Sequence, residues 1–240
     1  MSVFRAARRS PDGHAARRLR VRLRVCGAVL AGIVGCVAAP ARGAAPGETT
    51  AQCEARRCVG LRVTVLEDSA GPAADRAWFD VRLAHANRLF QAIDVGFEVV
   101  AWGARPVPSA AVDTRAQRDG VGANRPHDGL IDIYLVKRLT DVDAPPTEIR
   151  GVHWRLRRDT AQRWVIMSAI SGAMVLAHEL GHFFSLPHGT ETASIMNKRP
   201  RPSPPWEARV FTAREQARMR AAFAKMLERA RLRLLDQPGG

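Results

Sequence analysis

Tyrosine is almost missing from this chain of 240 residues: Tyr134 is the only one, so no other position can offer a phenol to any chemistry. Cysteine is scarce, with Cys26, Cys36, Cys53 and Cys58 as the full set. Acidic residues are outnumbered, 23 against 37 Lys and Arg, for a formal charge of +14. That charge does not signal nucleic-acid binding, because no basic platform with interleaved aromatics and no named nucleic-acid motif accompanies it. Repeats are absent. After the first 40 residues no apolar run approaches the length needed to cross a bilayer.

Half of the excess charge lies at the start. Residues 1–35 hold eight arginines and one aspartate. A basic stretch to Arg24, then an apolar run from Val25 to Ala39, has the form of an export signal. Ile33-Val34-Gly35-Cys36 has the form of a bacterial lipobox, which would make Cys36 a lipidated first residue and attach the protein to a membrane. On the other reading Cys36 is one more small residue and cleavage follows Gly43. Either way residues 1–43 are a leader, residues 44–240 are one domain, and the protein is exported. In such a compartment Cys53 and Cys58 are expected to close a short disulfide loop; a thiolate from this segment held on a metal is the alternative.

The chemistry concentrates in His178-Glu179-Leu180-Gly181-His182-Phe183-Phe184-Ser185-Leu186-Pro187-His188. On a helix His178 and His182 stand one above the other and can share one metal ion. Glu179 sits beside the first of them, where a carboxylate can take a proton from water. Leu186-Pro187 stops the helix, so His188 can turn back as a third ligand. Ala173 to Ala177 is apolar, as suits a buried helix.

This pattern resembles the metzincin zinc endopeptidases, whose signature is H-E-x-x-H-x-x-G-x-x-H followed by a methionine turn. His178, Glu179, His182 and His188 match the long motif, and Met196 in Ser194-Ile195-Met196-Asn197 matches the turn. Leu-Pro-His after the motif looks most like the matrixin-type branch and its bacterial relatives. The resemblance implies Zn²⁺ on the three histidines, Glu179 as the base, and Met196 beneath the metal. It also implies Asn197 to Pro200 as part of a pocket wall and Val152-His153-Trp154 as an edge strand above the cleft. A second zinc near that strand would draw on His127, Asp128 and His153. The family's glycine falls at Ser185, where a left-handed backbone would cost a non-glycine residue on the order of 1–2 kcal/mol. No tyrosine follows the turn; Asn197 and Lys198 do.

Patterning sets the frame. Leu61, Val63 and Val65 alternate with polar residues and predict a strand. Phe79, Leu83, Ala86, Phe90 and Ile93 mark one helical face over about Ala74 to Asp94. Strands follow at Phe97–Trp102, Leu130–Val136, Gly151–Leu156 and Arg163–Ser168, with a Gly/Pro/Asp-rich loop at 103–128 and a hairpin turn at 157–162. Thr212-Ala213-Arg214-Glu215 fits a capping box for a last helix reaching about Leu235. The expectation is an α+β metzincin-like fold, a twisted mixed sheet on the metal helix plus a C-terminal helix. The function it implies is a secreted or envelope-anchored zinc endopeptidase, monomeric, with a peptide or protein substrate. The alternative is a non-catalytic zinc-containing envelope protein that binds peptides or wall polymers.

Overall fold

The computed structural model describes Cys53, Ala55, residues 57–199 and residues 203–236; the expected leader, with Cys36, lies outside them. In chain order the elements are β1 (Arg57–Asp68), β2 (Gly71–Pro72), α1 (Arg76–Phe90), β3 (Val95–Pro106), β4 (Ala111–Val112), α2 (Arg115–Val121) and β5 (Ile131–Val136). They continue with β6 (Arg138–Leu139), β7 (Gly151–Arg155), β8 (Arg163–Ser168), α3 (Val175–Phe183) and α4 (Ala213–Glu228). The fold is α+β, as expected.

The main sheet runs β3-β1-β5-β8-β7, with β2 pairing the end of β1. β1, β3, β5 and β8 are parallel, and β7 lies antiparallel at the edge. Side chains alternate across the sheet, and both faces are covered. Val59, Leu61, Val63, Ile133, Leu135, Val165 and Met167 point to one face, where α1, α3 and α4 build the larger core. Tyr134, Val136, Trp164 and Ile166 point to the other, against Val112 and Val121.

Local chemistry sets the helix ends. Asp75 caps α1 by accepting the Trp78 N–H at 2.7 Å, satisfying a donor with no partner inside the helix. Asn87 then bonds both the N–H and the C=O of Phe97, locking α1 to β3. The segment expected to be loop contains α2, started by a capping box between Thr114 and Gln117. Buried Arg118 on α2 donates to the Thr140 carbonyl at 2.6 Å. The last helix stops at Glu228, seven residues short of the expected Leu235. Ala230 adopts φ 50°, the Ala230 N–H bonds Leu227 O, and the Arg231 N–H bonds Met226 O, which is a Schellman stop. The freed tail returns to β1, where Leu235 N–H donates to Cys58 O.

Cys53 and Cys58 are disulfide-bonded, so neither thiolate is free to occupy a metal. Among the described residues no helix is long and apolar enough to cross a membrane.

Candidate metal centre

α3 is apolar and almost entirely buried, including His178 and Glu179. It ends in the same kind of stop as α4. The Ser185 N–H bonds His182 O at 2.9 Å, the Leu186 N–H bonds Gly181 O at 3.0 Å, and Ser185 sits at φ 71°. Serine therefore accepts the left-handed conformation that glycine serves elsewhere. The turn sends the chain back so that His188 reaches the helix.

His178, His182 and His188 form the one group of three or more metal-competent side chains among the described residues. Their ligand atoms all lie within 4.8 Å of one another. His178 Nδ1 lies 2.8 Å from Ile195 O, and His182 Nδ1 lies 2.7 Å from Leu186 O. A carbonyl only accepts, so each Nδ1 carries the proton and each neutral ring leaves Nε2 bare. Nε2 of His182 and of His188 are 3.2 Å apart. Nitrogens in adjacent positions of a tetrahedral zinc site stand about 3.3 Å apart, given zinc–nitrogen bonds of 2.0–2.1 Å. Burial pulls His178 and His188 down to about 4, with the neighbouring His182 adding to the effect, and burial lowers His182 as well. Three neutral imidazoles with bare nitrogens turned together suit a borderline-soft divalent cation such as Zn²⁺.

Glu179 is buried against β7. Burial pushes its carboxyl up to about 8, opposed by a hydrogen bond from the His153 backbone N–H and by the charge of Arg118. The register explains that hydrogen bond. Bonds from Ser168 N to Arg150 O and from Leu156 N to Gln162 O put the even-numbered residues in the bonded pairs with β8. Gly151, His153 and Arg155 then turn their backbone groups away from β8, toward the open edge. Gly151 is required for closeness: a Cβ there would stand 2.8 Å from Val175 Cγ1, 3.0 Å from Glu179 Cγ and 3.2 Å from Glu179 Oε1.

The floor is the turn Ser194–Asn197. Fully buried Met196 reaches α3 because residue 181 is glycine; a Cβ at that position would lie 2.7 Å from Met196 Sδ. Ser194 Oγ accepts the Met196 N–H and donates to Glu215 Oε1 at 2.6 Å. Glu215 also closes the capping box of α4 through Thr212, so the turn is fastened to the last helix. Asn197 is buried and donates to Thr190 O and Glu191 O, which makes it a brace for the turn; Pro200 lies outside the described residues. Trp206 stands 6.0 Å from His178, ring to ring. His127 and His153 enter no metal-competent group among the described residues. His153 instead packs on Phe183, with its buried Nε2 unpartnered. The motif pointed to the histidines and Glu179. Gly151, Gly181, Arg118 and the Ile195 carbonyl carried no local signal, because each acts on a residue distant in sequence.

No protein-family model and no curated protein matches the chain. Solved structures do. Metalloproteinase-II from Bacteroides fragilis is 13% identical with a TM-score of 0.47, over 72% of this chain and 55% of that one. A zinc-dependent peptidase from Methanocorpusculum labreanum is 13% identical with a TM-score of 0.40, over 67% of this chain and all of that one. A chaperone–substrate complex gives 10% and 0.46, over 71% and 34%. The chain thus spans about half the length of the first of these and a third of the last. At such identities and scores none of these likenesses carries the reading, which rests on the side-chain geometry.

Proposed function

We propose that the chain is a zinc-dependent endopeptidase of the metzincin type. The observation that carries this is the convergence of His178, His182 and His188, with buried Glu179 next in the chain to the first of them and packed against the edge strand β7. His178, His182 and His188 would hold the metal through Nε2. Zinc, when bound, supplies Lewis acidity that polarises a carbonyl and acidifies water. An extended substrate strand pairs with those outward backbone groups of β7 that Glu179 leaves open, which fixes the scissile bond over the histidines. In its ionised form, which the charge of a bound divalent metal would favour against burial, Glu179 takes a proton from water as the water oxygen bonds to the carbonyl carbon. It then passes that proton to the leaving amine nitrogen as the C–N bond breaks. Met196 supports the histidines from below without coordinating, and Asn197 holds the turn that carries it.

Export is part of the same reading. A disulfide between Cys53 and Cys58 belongs in an oxidising compartment, and the leader with its lipobox-like Cys36 provides the route and an envelope anchor. Mass spectrometry of the mature N-terminus decides between a diacylated Cys36 and a free end further along.

Activity is tested by incubating the zinc-loaded protein with a denatured protein mixture, with and without chelator. Cleavage is expected only without chelator. Glu179→Gln should keep its zinc and lose at least about 10²-fold in rate. Equal cleavage by wild type and Glu179→Gln would refute the assignment of the base.

A further inference from the structure

A second cluster of charged groups lies away from the histidines, at the ends of α3 and α4. Arg125, Arg163 and Arg231 line a small cleft together with Leu130, Phe183 and Met226. It opens to solvent, and its enclosed part admits little more than one water-sized group. Arg125 is 7% exposed, and its guanidinium lies 5.7 Å from the Trp164 ring. Arg163 is held from one side: Nη1 donates to Phe183 O at 3.2 Å and Nη2 to Thr160 O at 3.0 Å.

The charges do not balance. Asp132 is the buried carboxylate of this region, and it is shared: Arg62 approaches it at 3.0 Å and Arg125 only at 3.5 Å. Asp128 pairs with Arg62. Asp159, in the turn before β8, bonds Gln162 and the Ala161 N–H. Among the described residues neither Arg163 nor Arg231 has a carboxylate within 4.0 Å. Burial lowers the Arg163 pKa, and the charges of Arg231, Arg155 and Arg125 lower it further. Three guanidinium groups lining one small cleft, with fewer carboxylates than cations around it, favour an anion there. A planar or tetrahedral oxyanion suits the cleft, because guanidinium forks match its oxygens.

We propose that this cleft is a binding site for one small oxyanion, a phosphate or a carboxylate, with one oxygen inserted between Arg125 and Arg163 and the outer oxygens facing Arg231. Arg163 also holds the last carbonyl of α3, one residue beyond His182, so the bound anion braces the end of the histidine helix.

Calorimetric titration at fixed ionic strength tests this, with inorganic phosphate and acetate as separate probes. At least one of them is expected to bind saturably at one site per chain, and which one binds separates the two sources. Arg163→Met should weaken binding about tenfold or more, in line with the loss of a charge-assisted hydrogen bond. Arg231→Ser, at an exposed position, should weaken it severalfold without touching the fold, and decides the matter should Arg163→Met fail to fold. The titration is run on zinc-loaded and on chelator-treated protein. Binding that survives chelation belongs to the cleft, whatever the outcome of the peptidase assay. Binding that vanishes with the metal, binding unchanged by Arg231→Ser, or no binding of either probe would overturn the proposal.

Discussion

Replacing Ser185 by glycine is expected to stabilise the protein. Ser185 is exposed, sits at φ 71°, and acts in the stop of α3 through its backbone, by the bond from its N–H to His182 O. Removing the Cβ relieves a left-handed strain of about 1–2 kcal/mol. Glycine's greater freedom in the unfolded chain takes back about 0.4–1 kcal/mol. The net gain is about 0.5–1 kcal/mol, a rise of roughly 1–4 °C in Tm for a domain of this size. The assay is calorimetric unfolding in chelator, which separates the backbone effect from stabilisation by bound zinc. Ser185→Ala keeps the Cβ and should stay within about 0.5 kcal/mol of wild type. Ala230→Gly, at φ 50° in the matching stop of α4, should raise Tm for the same reason. The two sites share no partner, so their gains should add. A lower Tm for Ser185→Gly, with an unchanged denaturant slope, would refute the argument that residue 185 carries strain.

Gly151→Ala should cost about 1–3 kcal/mol in stability, because its Cβ would press on Val175 and Glu179. Peptide cleavage should fall with zinc content intact; unaltered kinetics would mean that Glu179 does not need its place against β7. His188→Ala should weaken zinc binding by several kcal/mol, since a catalytic site normally takes three protein ligands; a competition titration with a chromogenic chelator measures it, and unchanged affinity would place the third ligand elsewhere. Replacing both Cys53 and Cys58 by serine should lower stability by about 2 kcal/mol, the loop-closure value for so short a ring, read by urea unfolding.

What the sequence revealed and what it hid divides by range. The convergence of the histidines was legible because helical spacing puts His178 over His182, and Leu186-Pro187 forbids the helix from running on. Strand β8 is legible to the residue, because Trp164–Met167 is an unbroken apolar run between polar ends. α2 leaves no mark in the sequence pattern because its seven residues include Gly120 and no apolar stripe; what holds it is Arg118 reaching Thr140, more than twenty residues away. The pattern overstates the length of α4 because its stop uses Ala230, a good helix former, in a conformation that only the surrounding bonds impose. The roles of Gly151 and Gly181 follow from sheet register and from the Met196 turn, neither of which a local pattern contains.

The link from Ser194 to Glu215 has a consequence for timing. His178 is oriented by Ile195 O, the turn holding Ile195 is fastened by Ser194, and Ser194 is fastened by the capping carboxylate of the last helix. A chain that is made, or threaded across a membrane, from its N-terminus presents all three histidines well before Glu215 arrives. The unfinished chain therefore carries the three histidines without the brace that aligns them. Competence comes with the final helix, and a fragment ending at Thr212 should hold zinc more weakly than the whole protein in an equilibrium competition titration. Equal affinity would mean that the turn stands without its fastening.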